Sequence, residues 1–117
     1  MSVMPSAKPT KTIFGSRLRA AREDRGWTQG KLGAVALGIE DENNGASRIS
    51  RYEGGDRLPD PETLQALADA LGMPAVYFHA TNDLMADIIL QVSKLPQKSQ
   101  RQVLEHIKGL AAKRTPG

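Results

Sequence analysis

TQGKLGAVALGIEDENNGASRISRYEGG (28–55) is the stretch on which the fold turns. Thr28 is a good helix N-cap; Trp27 before it and Leu32 at the fourth helical position make a hydrophobic staple that sets the approach of the chain. Gly30 and Gly33 each weaken the helix that follows by roughly 1 kcal/mol relative to Ala. The position of Gly33 points to another helix passing close by. GIEDENNG (38–45) reads as loop, and Ala46–Gly54 reads as a short helix stopped by the Gly54-Gly55 pair.

Upstream, Phe14, Leu18 and Ala21 recur at helical spacing from Ile13, and Gly26 ends that helix. Downstream, Asp60-Pro61 supplies an N-cap followed by Pro at the first helical position, where its missing N–H costs nothing. Leu64, Leu67, Ala68 and Leu71 form the stripe of that helix, and Gly72 stops it. Pro74–His79 reads as one more short helical turn. Two amphipathic helices follow, about Asp83–Lys94 and Gln97–Lys113, jointed at Leu95-Pro96. The first carries Met85, Ile88, Ile89, Val92 and Leu95 on one face, and the second Val103, Leu104, Ile107, Leu110 and Ala111. No period-two alternation is sustained, so the expected class is all-α. Residues 1–12 read as a flexible arm, 13–80 as one domain, 81–114 as a helical hairpin and 115–117 as a tail.

Composition narrows the function. The chain has 117 residues, 39% of them hydrophobic, and no cysteine, which removes disulfides, thiol catalysis and cysteine-held zinc. His79 and His106 stand too far apart for a local metal motif. No apolar run reaches the ~18 residues of a membrane span, and the amino end lacks the apolar core of a signal peptide, so a cytoplasmic protein is expected. The formal charge of +3 is unevenly spread: residues 1–39 carry seven basic and two acidic groups, 40–62 three and seven, and 63–117 six and four. A basic first third suits an anionic partner such as phosphate backbone, or simply forms a solvated helix face.

Helix, sharp turn, helix and glycine stop together can lay a short helix in a DNA major groove, which is wide enough for one α-helix. With Ile49 set inward, Ala46, Tyr52 and Glu53 fall on the inner side of the 46–54 helix. Ser47 and Arg51 then lie opposite, and Arg48 and Ser50 lie on the flanks. Arg51 has the fork geometry for guanine O6 and N7, and Ser47 is short enough to let the backbone come close. A solvated surface helix can also carry Ser and Arg. Glu53 on the inner face needs a cation, because an unpaired buried carboxylate is costly.

Residues 13–79 resemble the DNA-binding domain of the lambda-repressor/Cro-like, or XRE-type, helix-turn-helix regulators. The matching stretches are FGSRLRAAREDRGWTQ (14–29), SRISRYEGGDRLP (47–59) and ETLQALADALGMPAVYF (62–78). The resemblance covers a little over half the chain and implies a five-helix domain whose 46–54 helix reads bases through Ser47, Arg48, Ser50 and Arg51. It places Gln29 on the DNA backbone, bracing Ser47, and makes Arg22 and Glu53 a structural ion pair. Gly54 and Gly55 would offer amides to phosphate, Arg57 would add a charged contact, and Arg17 is a weaker phosphate candidate. Most of the family has a tight turn where this chain carries 38–45 with Glu40, Asp41 and Glu42, although members with a similar GASRISRYE stretch have a longer loop. These carboxylates would be repelled by phosphate, so the loop points away or selects among DNA approaches. Asn43 and Asn44 either reach DNA or form the turn.

GWTQGK (26–31) has one residue too few for a phosphate-binding loop and Leu32 where a hydroxyl should ligate magnesium. No nucleophile or metal motif is present, so neither enzyme activity, a cofactor nor a metal is expected. The chain is also too short for a self-cleaving carboxy-terminal domain. The two last helices pack back on their own domain or form a two-fold homodimer. The expected partner is double-stranded DNA, and the expected function is a dimeric transcription repressor that reads a pseudo-palindromic operator with the 46–54 helix. The alternatives are an antitoxin-like module whose C-terminal helices bind a partner protein, and a scaffold that no longer touches DNA.

Overall fold

The computed structural model describes residues 12–113; most of the expected arm (1–12) and the 115–117 tail lie outside them. The chain is all-α: α1 (Ile13–Asp24), α2 (Gln29–Leu37), α3 (Glu42–Gly54), α4 (Pro61–Leu71), a 310 turn (Ala75–His79), α5 (Asp83–Ser93) and α6 (Gln97–Ala112). The 310 turn is the fifth helical element of the domain expected over 13–80.

Polar residues just outside five of the helices explain where those helices start. Thr12, Thr28, Asp41, Asp60 and Asn82 each accept the backbone N–H three residues on, from Gly15, Lys31, Asn44, Thr63 and Met85. Each satisfies one donor that the first turn would otherwise leave unpaired. Leu18, Leu32, Ile49, Leu67 and Phe78 are fully buried between α1, α2, α3, α4 and the 310 turn. Burial of each such side chain is worth about 1.5–3 kcal/mol. Phe14 meets the edge of Phe78 at 5.8 Å and stacks on His79 at the same distance, so His79 is held at the surface by an aromatic contact.

The loop expected over 38–45 is shorter, and this corrects the reading of the 46–54 helix. α3 begins at Glu42, four residues before the expected start, and only 38–41 remain as connection. Asp41 is the cap: its carboxylate accepts the Asn44 N–H at 3.0 Å. Glu42 lies in the first turn, where a negative charge complements the helix dipole. Gly45 belongs to the helix because α2 crosses there. A Cβ on Gly33 would sit 2.8 Å from the Gly45 Cα, and one on Gly30 would sit 3.2 Å from the Glu42 Cβ. The two backbones touch, and the glycines that weaken α2 are what allow it.

α5 and α6 are built differently. α5 buries Ala86 alone, and α6 buries nothing. α6 rests on α5, with the Gln100 side-chain amide donating to the Val92 carbonyl at 2.9 Å. Leu104, Ile107 and Leu110 are 49%, 47% and 56% exposed, and Leu84, Met85 and Ile88 are exposed on α5. An apolar stripe of this extent on two adjoining helices is unusual for a surface left in water.

Candidate nucleic-acid interface

The inner side of α3 is buried at Gly45, Ile49, Tyr52, Glu53 and Gly54. At 100° per residue this leaves Ser47 and Arg51 on the opposite side, with Asn44 beside them and Arg48 and Ser50 on the flanks. Ser47, Arg48, Ser50 and Arg51 are all exposed, so the structure brings these four sequence-chosen residues onto one outward surface. Arg48 is also oriented: its Nε donates to the Tyr52 hydroxyl at 3.2 Å, one turn further along. That bond uses Nε and leaves the terminal nitrogens of the guanidinium out of it. It also raises the Arg48 pKa above its ordinary value, against the opposing effect of burial.

Glu53 ties α3 to the two helices before it. Its carboxylate is fully buried and receives Arg22 Nε at 2.6 Å and Arg22 Nη2 at 3.1 Å, a two-pronged pair. Arg22 Nη1 donates to the Trp27 carbonyl at 2.8 Å, so the same guanidinium also fixes the α1–α2 junction. The Glu53 hydrogen bond raises the Arg22 pKa against the opposing effect of burial. Arg19 Nε adds a weaker contact to Glu53 Oε1 at 3.5 Å. The sequence gives no sign of Arg19's part except its position one turn-width before Arg22, on the same side of α1.

The resemblance implies that Gln29 braces Ser47; in the structure its side-chain amide has another partner. Its side-chain amide donates to Glu53 Oε1 at 3.1 Å, which makes it a third support for the buried carboxylate. Its place at the start of α2 is unchanged. Gly54 is the buried last residue of α3, and the Gly55 N–H closes on the Tyr52 carbonyl at 3.3 Å with φ of 80°. The Asp56 N–H closes on the Arg51 carbonyl at 3.0 Å, completing a glycine-ended helix stop. The amides expected to face phosphate are thus turned back into the helix end. Arg57, just beyond, is exposed.

Arg17 is placed elsewhere. Its side chain is largely buried against the 310 turn: Nη2 donates to the Ala80 carbonyl at 3.0 Å, Nη1 lies 3.4 Å from Asp83, and the guanidinium covers the Tyr77 ring at 5.5 Å. These contacts join α1 to the start of α5 and take the charge away from the phosphate role expected of it. Among the described residues no cluster of three His, Asp or Glu side chains is arranged to hold a metal, and no helix is long and apolar enough to cross a membrane.

Comparison with known proteins agrees with this arrangement. The helix-turn-helix domain family matches residues 13–77. The crystal structure of transcriptional regulator BswR superposes with a TM-score of 0.75 at 33% identity, over 86% of this chain and 98% of that one. That share takes in residues beyond 77, so the likeness extends into the C-terminal helices. Among curated proteins no significant relative was found. The chain belongs to the helix-turn-helix domain family of DNA-binding proteins.

Proposed function

We propose that the chain is a sequence-specific regulator of transcription that binds double-stranded DNA as a homodimer, represses from a pseudo-palindromic operator, and acts in the cytoplasm. The observation that carries the reading is the outer face of α3. Ser47, Arg48, Ser50 and Arg51 are exposed together, on a helix whose other side is anchored in the core through Ile49, Tyr52 and Glu53. Base choice comes from that face, and affinity from phosphate neutralisation, with Arg57 and the start of α2 at Gln29 beside the strand. The work is binding alone; it needs no catalysis and no cofactor.

The apolar stripe on α5 and α6 supports the homodimer. A two-fold copy covers the same stripe on both chains, and such pairing sets two reading helices about one DNA turn apart. The same stripe favours a second reading, in which a different protein docks on α6 in the manner of antitoxin-like modules.

In vitro selection from random duplex DNA at two salt concentrations, with light scattering on the unbound protein, tests both. The proposal expects a palindromic consensus, steep salt dependence and twice the chain mass. Ile107→Glu gives a folded monomer with weakened DNA binding, because α6 holds no buried residue whose loss would unfold the domain. Arg51→Ala loses discrimination at one base position by roughly 1–3 kcal/mol, whereas Arg57→Ala weakens all sequences alike. A wild-type monomer that binds one half-site as tightly as the palindrome overturns the homodimer. A salt-independent complex overturns the DNA reading.

A further inference from the structure

We infer that Asn44 is a base-reading residue of this chain and that it selects adenine. The inference rests on the DNA-binding reading of α3 and deepens it. The early start of α3 is what creates the position. Because the helix begins at Glu42, Asn44 is a helical residue three places before Ser47 and seven before Arg51, so the three share one row along the outer face. In a loop it would have no fixed register with either.

The neighbours of Asn44 in the first turn are differently engaged. Asp41 is occupied as the cap, accepting the Asn44 backbone N–H at 3.0 Å. Glu42 is turned toward α2, with its Cβ over Gly30. Neither Asp41 nor Glu42 therefore belongs to the outer row, and Glu40, one residue before the cap, is exposed outside the helix. The Asn44 side chain is exposed, and its amide makes no hydrogen bond to the described residues.

A free carboxamide on a helix in the major groove has one well-matched partner. Its oxygen accepts from adenine N6 while its nitrogen donates to adenine N7, a two-point contact that no other base offers in the same order. The spacing adds a second expectation. Seven residues of helix carry Asn44 about 10 Å from Arg51, which is about three base steps at 3.4 Å each. The half-site thus has an adenine about three steps from the base pair that Arg51 reads.

The full chain and its Asn44→Ala variant are each put through selection on random duplex DNA. The wild-type consensus is then rebuilt with 7-deazaadenine at the assigned position. The expected result is that Asn44→Ala selects a consensus relaxed at one adenine and otherwise the same, with affinity for the wild-type site lowered about tenfold or more. 7-Deazaadenine weakens the wild type and leaves the variant indifferent. If the variant selects an unchanged consensus, or loses affinity equally for every sequence, Asn44 is not a base reader and the inference fails while the DNA reading stands. If the wild type selects no sequence at all, the DNA reading itself fails, and the inference with it.

Discussion

Arg22 Nε lies 2.6 Å from the Oε2 of Glu53, whose side chain has no exposure to solvent. One residue belongs to α1 and the other to the last turn of α3. With Gln29 also on this carboxylate, the pair links three helices through a single buried charge.

Breaking that link is expected to be costly. Arg22→Ala leaves the Glu53 charge buried with only the Arg19 and Gln29 contacts, and removal of one partner from a buried pair costs about 3–5 kcal/mol. Glu53→Gln keeps an acceptor for Arg22 and costs less. Urea denaturation checks both: an Arg22→Ala variant as stable as the wild type would show that the pair does not hold the helices together, and a Glu53→Gln variant as damaged as Arg22→Ala would show that the charge itself, beyond the hydrogen bonds it accepts, is what holds them.

Tyr52→Phe removes the hydroxyl that orients Arg48 while keeping the buried ring. Stability changes little, because Arg48 itself is exposed. DNA affinity falls by about 1 kcal/mol, roughly fivefold, as the orienting bond is lost. Fluorescence titration of labelled DNA measures the loss. Adding Tyr52→Phe to Arg48→Ala produces no further loss if the hydroxyl acts through Arg48.

Two glycines respond oppositely to the same substitution. Gly33→Ala sets a methyl group against the Gly45 backbone, which cannot turn away as a side chain would, and is expected to destabilise by about 1–2 kcal/mol despite its better helix propensity. Gly109→Ala meets nothing within 4 Å in the last turn of α6 and is expected to stabilise that helix by up to about 1 kcal/mol. Thermal melting of the two variants separates close helix approach from propensity. DNA binding also weakens in Gly33→Ala, because α2 and α3 are forced apart.

Acid sensitivity has an identifiable contributor in Asp60. The hydrogen bond from the Thr63 N–H lowers its pKa below the ordinary 3.8, with the Arg48 charge adding a little. A carboxylate whose pKa is lower in the folded state stabilises fully above its unfolded value, and that contribution fades as pH falls through the folded one. Asp60→Asn keeps a cap acceptor that does not titrate. Between about pH 4 and pH 2 the variant is therefore expected to lose less stability than the wild type. Acid unfolding followed by circular dichroism checks this, and identical curves would remove Asp60 from the account.

The helix order, most helix starts and the face that α3 presents were legible in the amino-acid chain. Those features depend on short-range chemistry: Thr28 and Asp60 cap within three residues, and Ile49, Tyr52 and Glu53 repeat at the helical period. The demand of Glu53 for a cation was legible too, since burial of a lone carboxylate is costly in any fold. The start of α3 was not, because Asn44-Gly45 locally favours a turn as readily as a helix. Contact with Gly33 of α2 decides between them, and that contact exists only once two helices cross. Gln29 and Arg17 were placed by the same kind of long-range packing. Their partners, Glu53 and Ala80, lie 24 and 63 residues further along, beyond the reach of any local pattern.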